Sequence, residues 1–286
     1  MTIAVTAATG HLGRLVVEAL LRTVPASELV AVVRDADKAA DLAARGVAVR
    51  VADYNDSASL EAAFDGVDRL LLISGTDVGS RARQHAVVID AAAKMGVSLL
   101  AYTSVLRASE ESLNPVAAEH VATEAHLRAS GVPFVLLRNG WYLENFVQAA
   151  RTAAESGVVV TSAGAGKVAT ATRAEYAEAA AAVLTTDGHE GRIYELAGTQ
   201  GWSEDEFAQT VGEILGATVA VKQVTPGEQL TILTAAGVPE MWAGFGVAVD
   251  GAIAAGELDA LGNDLEALVG RKAAPLRESL AGALAA

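Results

Sequence analysis

The heptapeptide Ala7-Ala8-Thr9-Gly10-His11-Leu12-Gly13 follows a short apolar run and precedes an alanine- and valine-rich stretch. It therefore reads as the loop between a strand and a helix. A glycine at 10 lets backbone come close to a pyrophosphate, a glycine at 13 lets the helix lie against the strand, and the helix N-terminus supplies amide donors and positive potential. The chemistry on offer is dinucleotide binding, with a bare strand-to-helix turn as the alternative. Such loops commonly carry a further glycine where this chain has Ala7. Alanine there costs little if its φ is negative and about 1 kcal/mol if a positive φ is required.

The end of the next strand decides between the two nicotinamide cofactors. Arg34, helped by Lys38, offers a planar charged fork suited to a 2′-phosphate, so NADPH is expected over NADH. Asp35 and Asp37 stand close enough to serve a ribose instead, and Arg34 also reads as an ordinary solvated cation. Asp53 and Tyr54 close the third strand, where they would flank an adenine; Asp53 reads equally as the cap of a helix starting near residue 56. Ser74, Gly75 and Thr76 close the fourth strand beside the nicotinamide, with a plain turn as the other reading of Ser74.

Other chemistries find no support. His11, His85, His120, His126 and His189 are scattered without carboxylates at ligand spacing, so no metal site is expected. No Gly-x-Ser-x-Gly elbow occurs, and with no cysteine there is neither a thiol nucleophile nor a disulfide framework. A reducing compartment, the cytoplasm, is the expected location.

Six β-branched runs must position these residues: 2–7, 28–34, 47–52, 67–74, 97–104 and 133–139. Amphipathic stretches at 12–22, 36–44, 57–64, 80–95 and 115–130 separate them. Strands that are apolar throughout, with helices between them, make a parallel sheet covered on both faces. The fold class is α/β, a doubly wound parallel sheet over residues 1–140, whose ligand edge is the carboxyl end of its strands. After 140 the alternation loosens, although Thr172-x-x-Glu175, Ser203-x-x-Glu206 and Thr225-Pro226-x-Glu228 mark helix starts. Residues 141–286 are expected to form a smaller α/β substrate-binding cap over the carboxyl edge, interleaved with the sheet.

Thirty-five acidic against 21 basic residues give a net charge of −14, which repels phosphate backbones and anionic lipid. Neither nucleic acid nor membrane is an expected partner, and no apolar run reaches the roughly 18–20 residues of a membrane span. The expected partner is a small molecule, taken by a monomer or a homodimer.

Taken in order, "TAATGHLG", "ELVAVVR", "ADYNDSASL", "LLLISGTDVG", "AYTS", "EHVATEAHLRASG" and "LLRNGWYLEN" resemble the NmrA type of atypical short-chain dehydrogenases. The resemblance implies a Rossmann domain with a small C-terminal domain, NADPH as cofactor, and a quinone acceptor held between them. By position it assigns the phosphate loop to Ala7, Ala8, Thr9, Gly10, His11 and Leu12, and the 2′-phosphate ligand to Arg34. It assigns the nicotinamide side to Ser74, Gly75 and Thr76, and a further contact segment to Asn139, Gly140, Trp141 and Tyr142. Core packing at the domain junction is the other reading of that last segment. Ordinary short-chain dehydrogenases carry a Tyr-x-x-x-Lys dyad, but here Val116 and His120 fall at its two positions. A ketone reductase needs that acid, whereas a hydroquinone anion is weakly basic and solvent can protonate it. The missing dyad therefore points away from alcohol oxidoreduction. His120 remains a candidate proton donor or substrate contact, or else fills the lysine's space; Ser104 is left an orienting role. The competing readings are a nucleotide sensor without turnover and a reductase of another flat conjugated acceptor.

Overall fold

The computed structural model describes residues 1–259 and 262–285. Its strands β1 (Ile3–Val5), β2 (Leu29–Val33), β3 (Ala48–Val51), β4 (Arg69–Leu72), β5 (Leu99–Val105) and β6 (Phe134–Asn139) fall inside the six apolar runs, except that β5 runs one residue past its own. Between them lie α1 (His11–Leu20), the single-turn α2 (Ala40–Ala44), α3 (Ser57–Phe64), α4 (Arg81–Lys94) and α5 (Ala117–Ala129). The helix expected at 36–44 is shorter than its pattern, because Asp37–Ala39 winds as a 3-10 turn before α2 begins.

Beyond 140 come α6 (Val147–Ser156), β7 (Val158–Thr161), α7 (Arg173–Thr185), β8 (Ile193–Leu196), α8 (Glu204–Leu215) and β9 (Ala220–Gln223). They are followed by α9 (Pro226–Ala235), α10 (Glu240–Ala254), α11 (Asp264–Val269) and α12 (Leu276–Ala285). Three of these helices start at the sequence's capping signals. Thr172, Ser203 and Thr225 each accept from the amide three residues on, and Glu175, Glu206 and Glu228 reach back.

The seven-stranded sheet has the order β3-β2-β1-β4-β5-β6-β8, parallel throughout. The order reverses between β1 and β4, and in such sheets the crevice at the strands' carboxyl ends beside that reversal holds the ligand. Period-two alternation sends Ile3, Val5, Ala31 and Leu71 against α1 and α7, and Ala4, Val30, Leu70 and Tyr102 to the opposite face, where α3 and α4 pack. A third apolar cluster, with Trp202, Phe207 and Ile253, forms the core of the C-terminal part. The chain beyond 140 is thus shared out. Helix α7 lies on α1, β8 extends the main sheet beside β6, and β7 and β9 pair separately.

Gly13 shows why the loop needs its second glycine. A Cβ there would sit 2.2 Å from the Ala7 carbonyl oxygen and 2.8 Å from the Ala8 Cα. Helix α1 could not then lie against β1. Ala7 adopts φ +47°, in the left-handed region, so the backbone penalty applies. Ala7→Gly should therefore stabilise the fold by about 1 kcal/mol and change NADPH affinity by less than about tenfold. Thermal melts and cofactor titration check both; a gain of several orders of magnitude in affinity would mean that the loop is a remnant.

One acid in the C-terminal core carries a pH signature. Glu204, in the first turn of α8, is 7% exposed. Burial, then the charges of Asp250 and Asp205, push its pKa up to about 7 from the ordinary 4.5. The folded protein therefore binds a proton that the unfolded chain releases between those values, and stability falls as pH rises through that window. Glu204→Gln should raise stability at pH 8 by about 2–3 kcal/mol, a gain that shrinks towards zero near pH 4. Melting curves across this range read the sign directly.

Candidate active site

A cavity of about 390 Å³ opens at the carboxyl ends of β1 to β4, where the strand order reverses. The phosphate loop contributes Ala7, Thr9 and Gly10 to it, the end of β2 Arg34 and Lys38, the end of β3 Asp53 and Tyr54, and the end of β4 Ser74, Gly75 and Thr76. Gly10 caps α1 without any side chain closing it, so the first amides of the helix are left for a ligand. Ala8 and Leu12 are buried beneath the loop, and His11 is exposed at the start of α1; none of the three lines the cavity.

The charges at the β2 end settle which acid does what. Arg34 and Lys38 are exposed and make no ion pair among the described residues. Asp35 accepts from the Asp37 amide at 3.1 Å and shapes the 3-10 turn. Asp53 accepts from the Asn55 amide and side chain, both at 2.8 Å, and these bonds hold its carboxyl below the usual range. It does not cap α3: Asp56 does, accepting from Ala58 and Ser59. Of the two acids that compete with Arg34, Asp35 is therefore engaged in the turn through the Asp37 amide. Tyr54 donates to the Ile73 carbonyl at 2.8 Å and touches the Thr6 hydroxyl, tying the ends of β1, β3 and β4 together under the cavity.

Asn139, Gly140, Trp141 and Tyr142 do not line this cavity; they stand farther along the same edge, Asn139 as the last residue of β6 and the others just after it. Asn139 is 5% exposed and donates to the Tyr142 hydroxyl at 3.2 Å, while its Oδ1 has no partner. A buried acceptor without a partner is costly, and here it lies at the ligand edge. Gly140 cannot carry a side chain without displacing the β8 end, since a Cβ would meet the Leu196 carbonyl and the Tyr176 hydroxyl, each at 3.0 Å. The Trp141 ring stacks on Phe245 with centroids 6.4 Å apart, which is a packing role. Tyr142 lies against Tyr176 at 5.2 Å and under the Arg173 guanidinium at 5.0 Å, and burial raises its hydroxyl above the usual tyrosine range.

The dyad positions hold no acid. Val116 is the N-cap of α5, and His120, 4% exposed, lies 2.7 Å from the Tyr102 hydroxyl and 3.3 Å from Arg81. Burial, then Arg81 and His85, lower its pKa to about 3, so it is neutral throughout the physiological range. Ser104 donates to the buried Glu124 at 2.6 Å, and Glu124 in turn takes Arg138 and Arg128. Burial would raise this carboxyl, but those bonds overcome it and hold it low. Ser104 belongs to that core ion-pair group and not to the cavity.

Sequence reasoning missed Asn55, Asp77 and Gln84, which line the cavity, the last two joined at 3.1 Å. No local pattern marks them. A larger cavity, of about 1070 Å³, opens between α7, α8 and residues 271–278, and shares no lining residue with the cavity at β1 to β4. Its arginines are matched by glutamates: Arg271 by Glu175 and Glu178, Arg277 by Glu213. Among the described residues no group of three or more potential ligands could hold a metal, and no helix is long and apolar enough to cross a membrane.

The NmrA-like family model matches residues 1–250. Quinone oxidoreductase 2 of Escherichia coli (strain K12) is 45% identical over 278 residues, 97% of either chain. The crystal structure of the Escherichia coli NADPH-dependent quinone oxidoreductase complexed with NADPH superposes with a TM-score of 0.95 at 44% identity, covering 98% of this chain and 99% of that one. That of the Citrobacter sp. triphenylmethane reductase complexed with NADP(H) gives 0.94 at 45%, covering 99% and 100%.

Proposed function

The chain belongs to the NmrA-like family, and on that premise we propose that it is an NADPH-dependent oxidoreductase acting on quinones. The observation that carries the cofactor is Arg34 with Lys38, two exposed cations without ion-pair partners among the described residues, at the β2 end of a cavity built on a helix N-terminus. In a protein of net charge −14 such a pair marks a place for an anion, and the 2′-phosphate of NADPH is that anion. The phosphate loop would hold the pyrophosphate, Asp53 and Tyr54 the adenine side, and Ser74 to Thr76 the nicotinamide side.

NADPH, when bound, supplies hydride, so that NADPH, a proton and a quinone give NADP⁺ and a hydroquinone. The chain's own part is positioning. Val116 cannot donate a proton, and His120 is neutral, buried and outside the cavity, so the hydroquinone anion takes its proton from solvent. Asn139 offers an unpartnered Oδ1, an acceptor oriented by its bond to Tyr142, which would take a carboxamide N–H of the nicotinamide and so orient that ring. The resemblance to the dye-reducing Citrobacter enzyme supports acceptors beyond quinones, provided that they are flat and conjugated. The lack of cysteine supports a reducing compartment, the cytoplasm.

NADPH absorbance followed with and without a small benzoquinone tests this reading. Steady multiple turnover is expected. Tight binding of NADPH and NADP⁺ without consumption would make the protein a nucleotide sensor instead.

A further inference from the structure

We infer that His85 is a positioning residue: with Tyr102, His120 and Arg81 it forms a buried clasp that fixes both feet of the segment 75–81 beside the cofactor cavity. The inference rests on the proposed reading, in which the nicotinamide end of NADPH lies against Ser74 to Thr76. It adds a group that neither the motifs nor the cavity lining disclosed.

At the first foot, the Gly75 amide donates to His85 Nε2 at 2.9 Å. Because Nε2 accepts, the proton of the neutral ring sits on Nδ1, 3.0 Å from the Thr123 hydroxyl. That hydroxyl passes its own proton to the Glu119 carbonyl at 2.8 Å, so every donor in the chain is used. At the second foot, Arg81 Nη1 lies 3.3 Å from His120 Nε2. Arginine has only donors, so this Nε2 also accepts, and His120 Nδ1–H donates to the Tyr102 hydroxyl at 2.7 Å. The same hydroxyl lies 3.4 Å from His85 Nδ1, whose proton is already given to Thr123; its own proton goes to the Thr123 hydroxyl, so the phenol on β5 links His120 on α5 to His85 on α4 through Thr123. Between the feet, the Gly79 amide donates to Glu119 at 3.0 Å, and Val78 is 71% exposed.

Burial makes the arrangement specific. His85 and Tyr102 are wholly buried, and His120 and Arg81 are 4% and 6% exposed. Desolvation and the nearby Arg81 charge keep both imidazoles neutral, which both tautomers require. Arg81 makes no ion pair among the described residues, and its Nε has no partner. A polar network that leaves a buried cation unmatched is a poor way to stabilise a core, where apolar packing does as well or better. What it does is fix the segment that presents Gly75 and its neighbours to the cavity, and a ring misplaced by about 1 Å loses rate steeply.

Nitrogen-15 spectra of the folded wild type test the clasp without any reaction. Both His85 and His120 are expected as Nδ1–H tautomers, with Nε2 unprotonated and not titrating between about pH 6 and 8. A proton on His85 Nε2 would overturn the clasp outright. In single-turnover oxidation of bound NADPH by a quinone, His85→Leu should be slower by about tenfold, with Kd for NADPH changed less than about threefold. His85→Gln, which restores an acceptor, should recover most of that rate. An unchanged rate in the leucine variant, or rate and affinity falling together with no recovery in the glutamine variant, would refute the role. Should His85→Leu not fold, Thr123→Val removes the acceptor of Nδ1–H, and the same split of rate from affinity is required of it. A wild type that consumes no NADPH with any quinone would sink the proposed function, leaving the clasp to be judged by the tautomers.

Discussion

Arg34→Ala raises Kd for NADPH by about tenfold or more and leaves that for NADH almost unchanged, because a charge-assisted contact of roughly 1.5–3 kcal/mol is lost only where the phosphate exists. The structure sharpens this expectation. Asp35 accepts from the Asp37 amide and Asp53 from Asn55, and neither forms an ion pair with the guanidinium. Arg34 is also exposed, which makes the preference salt-dependent: added salt should narrow the gap between the two cofactors in the wild type and hardly alter it in the variant. Arg34→Lys should recover only part of the loss, since an ammonium lacks the planar fork. Titrations with both cofactors at two ionic strengths decide the matter, and equal weakening of NADPH and NADH would remove Arg34 from the 2′-phosphate.

The parts of this molecule that could be read in advance are those whose causes are local. Near-continuous β-branched apolar runs marked the strands, Ser or Thr followed three residues later by Glu marked three helix starts, and the steric need at Gly13 follows from the bare heptapeptide. What escaped depends on where each element begins or on distance along the chain. Whether Ala7 needs a positive φ is set by how α1 is laid against β1, and Asp56 rather than Asp53 caps α3 because α3 begins at Ser57. Strand β8 reads as one more short apolar stretch until β6 offers it an edge, and α7 covers the same sheet face as α1 from 162 residues further on in the chain. The His85 clasp joins residues on β5, α4 and α5, so no window of sequence contains it.

Asn139→Ala should lower kcat/KM for the quinone by roughly tenfold to a thousandfold, the range for losing one positioning or polarising contact. The fall should lie mainly in kcat if Asn139 orients the ring in the transition state. Its Oδ1 is the unpartnered acceptor at the end of β6, and the Tyr142 hydroxyl fixes which way the amide faces. Tyr142→Phe removes that guide while keeping the ring against Tyr176 and Arg173, so its loss should be smaller than that of Tyr142→Ala, which also opens the packing. No titrating acid is involved. His120, held neutral with its pKa at about 3, cannot switch charge between pH 6 and 8, and the rate should stay nearly flat there. His120→Asn, which can still bond Tyr102, should keep both the flat profile and most of the rate. A rate that drops sharply above pH 7 in the wild type, and no longer does so in that variant, would make His120 the proton donor and replace solvent protonation with acid catalysis.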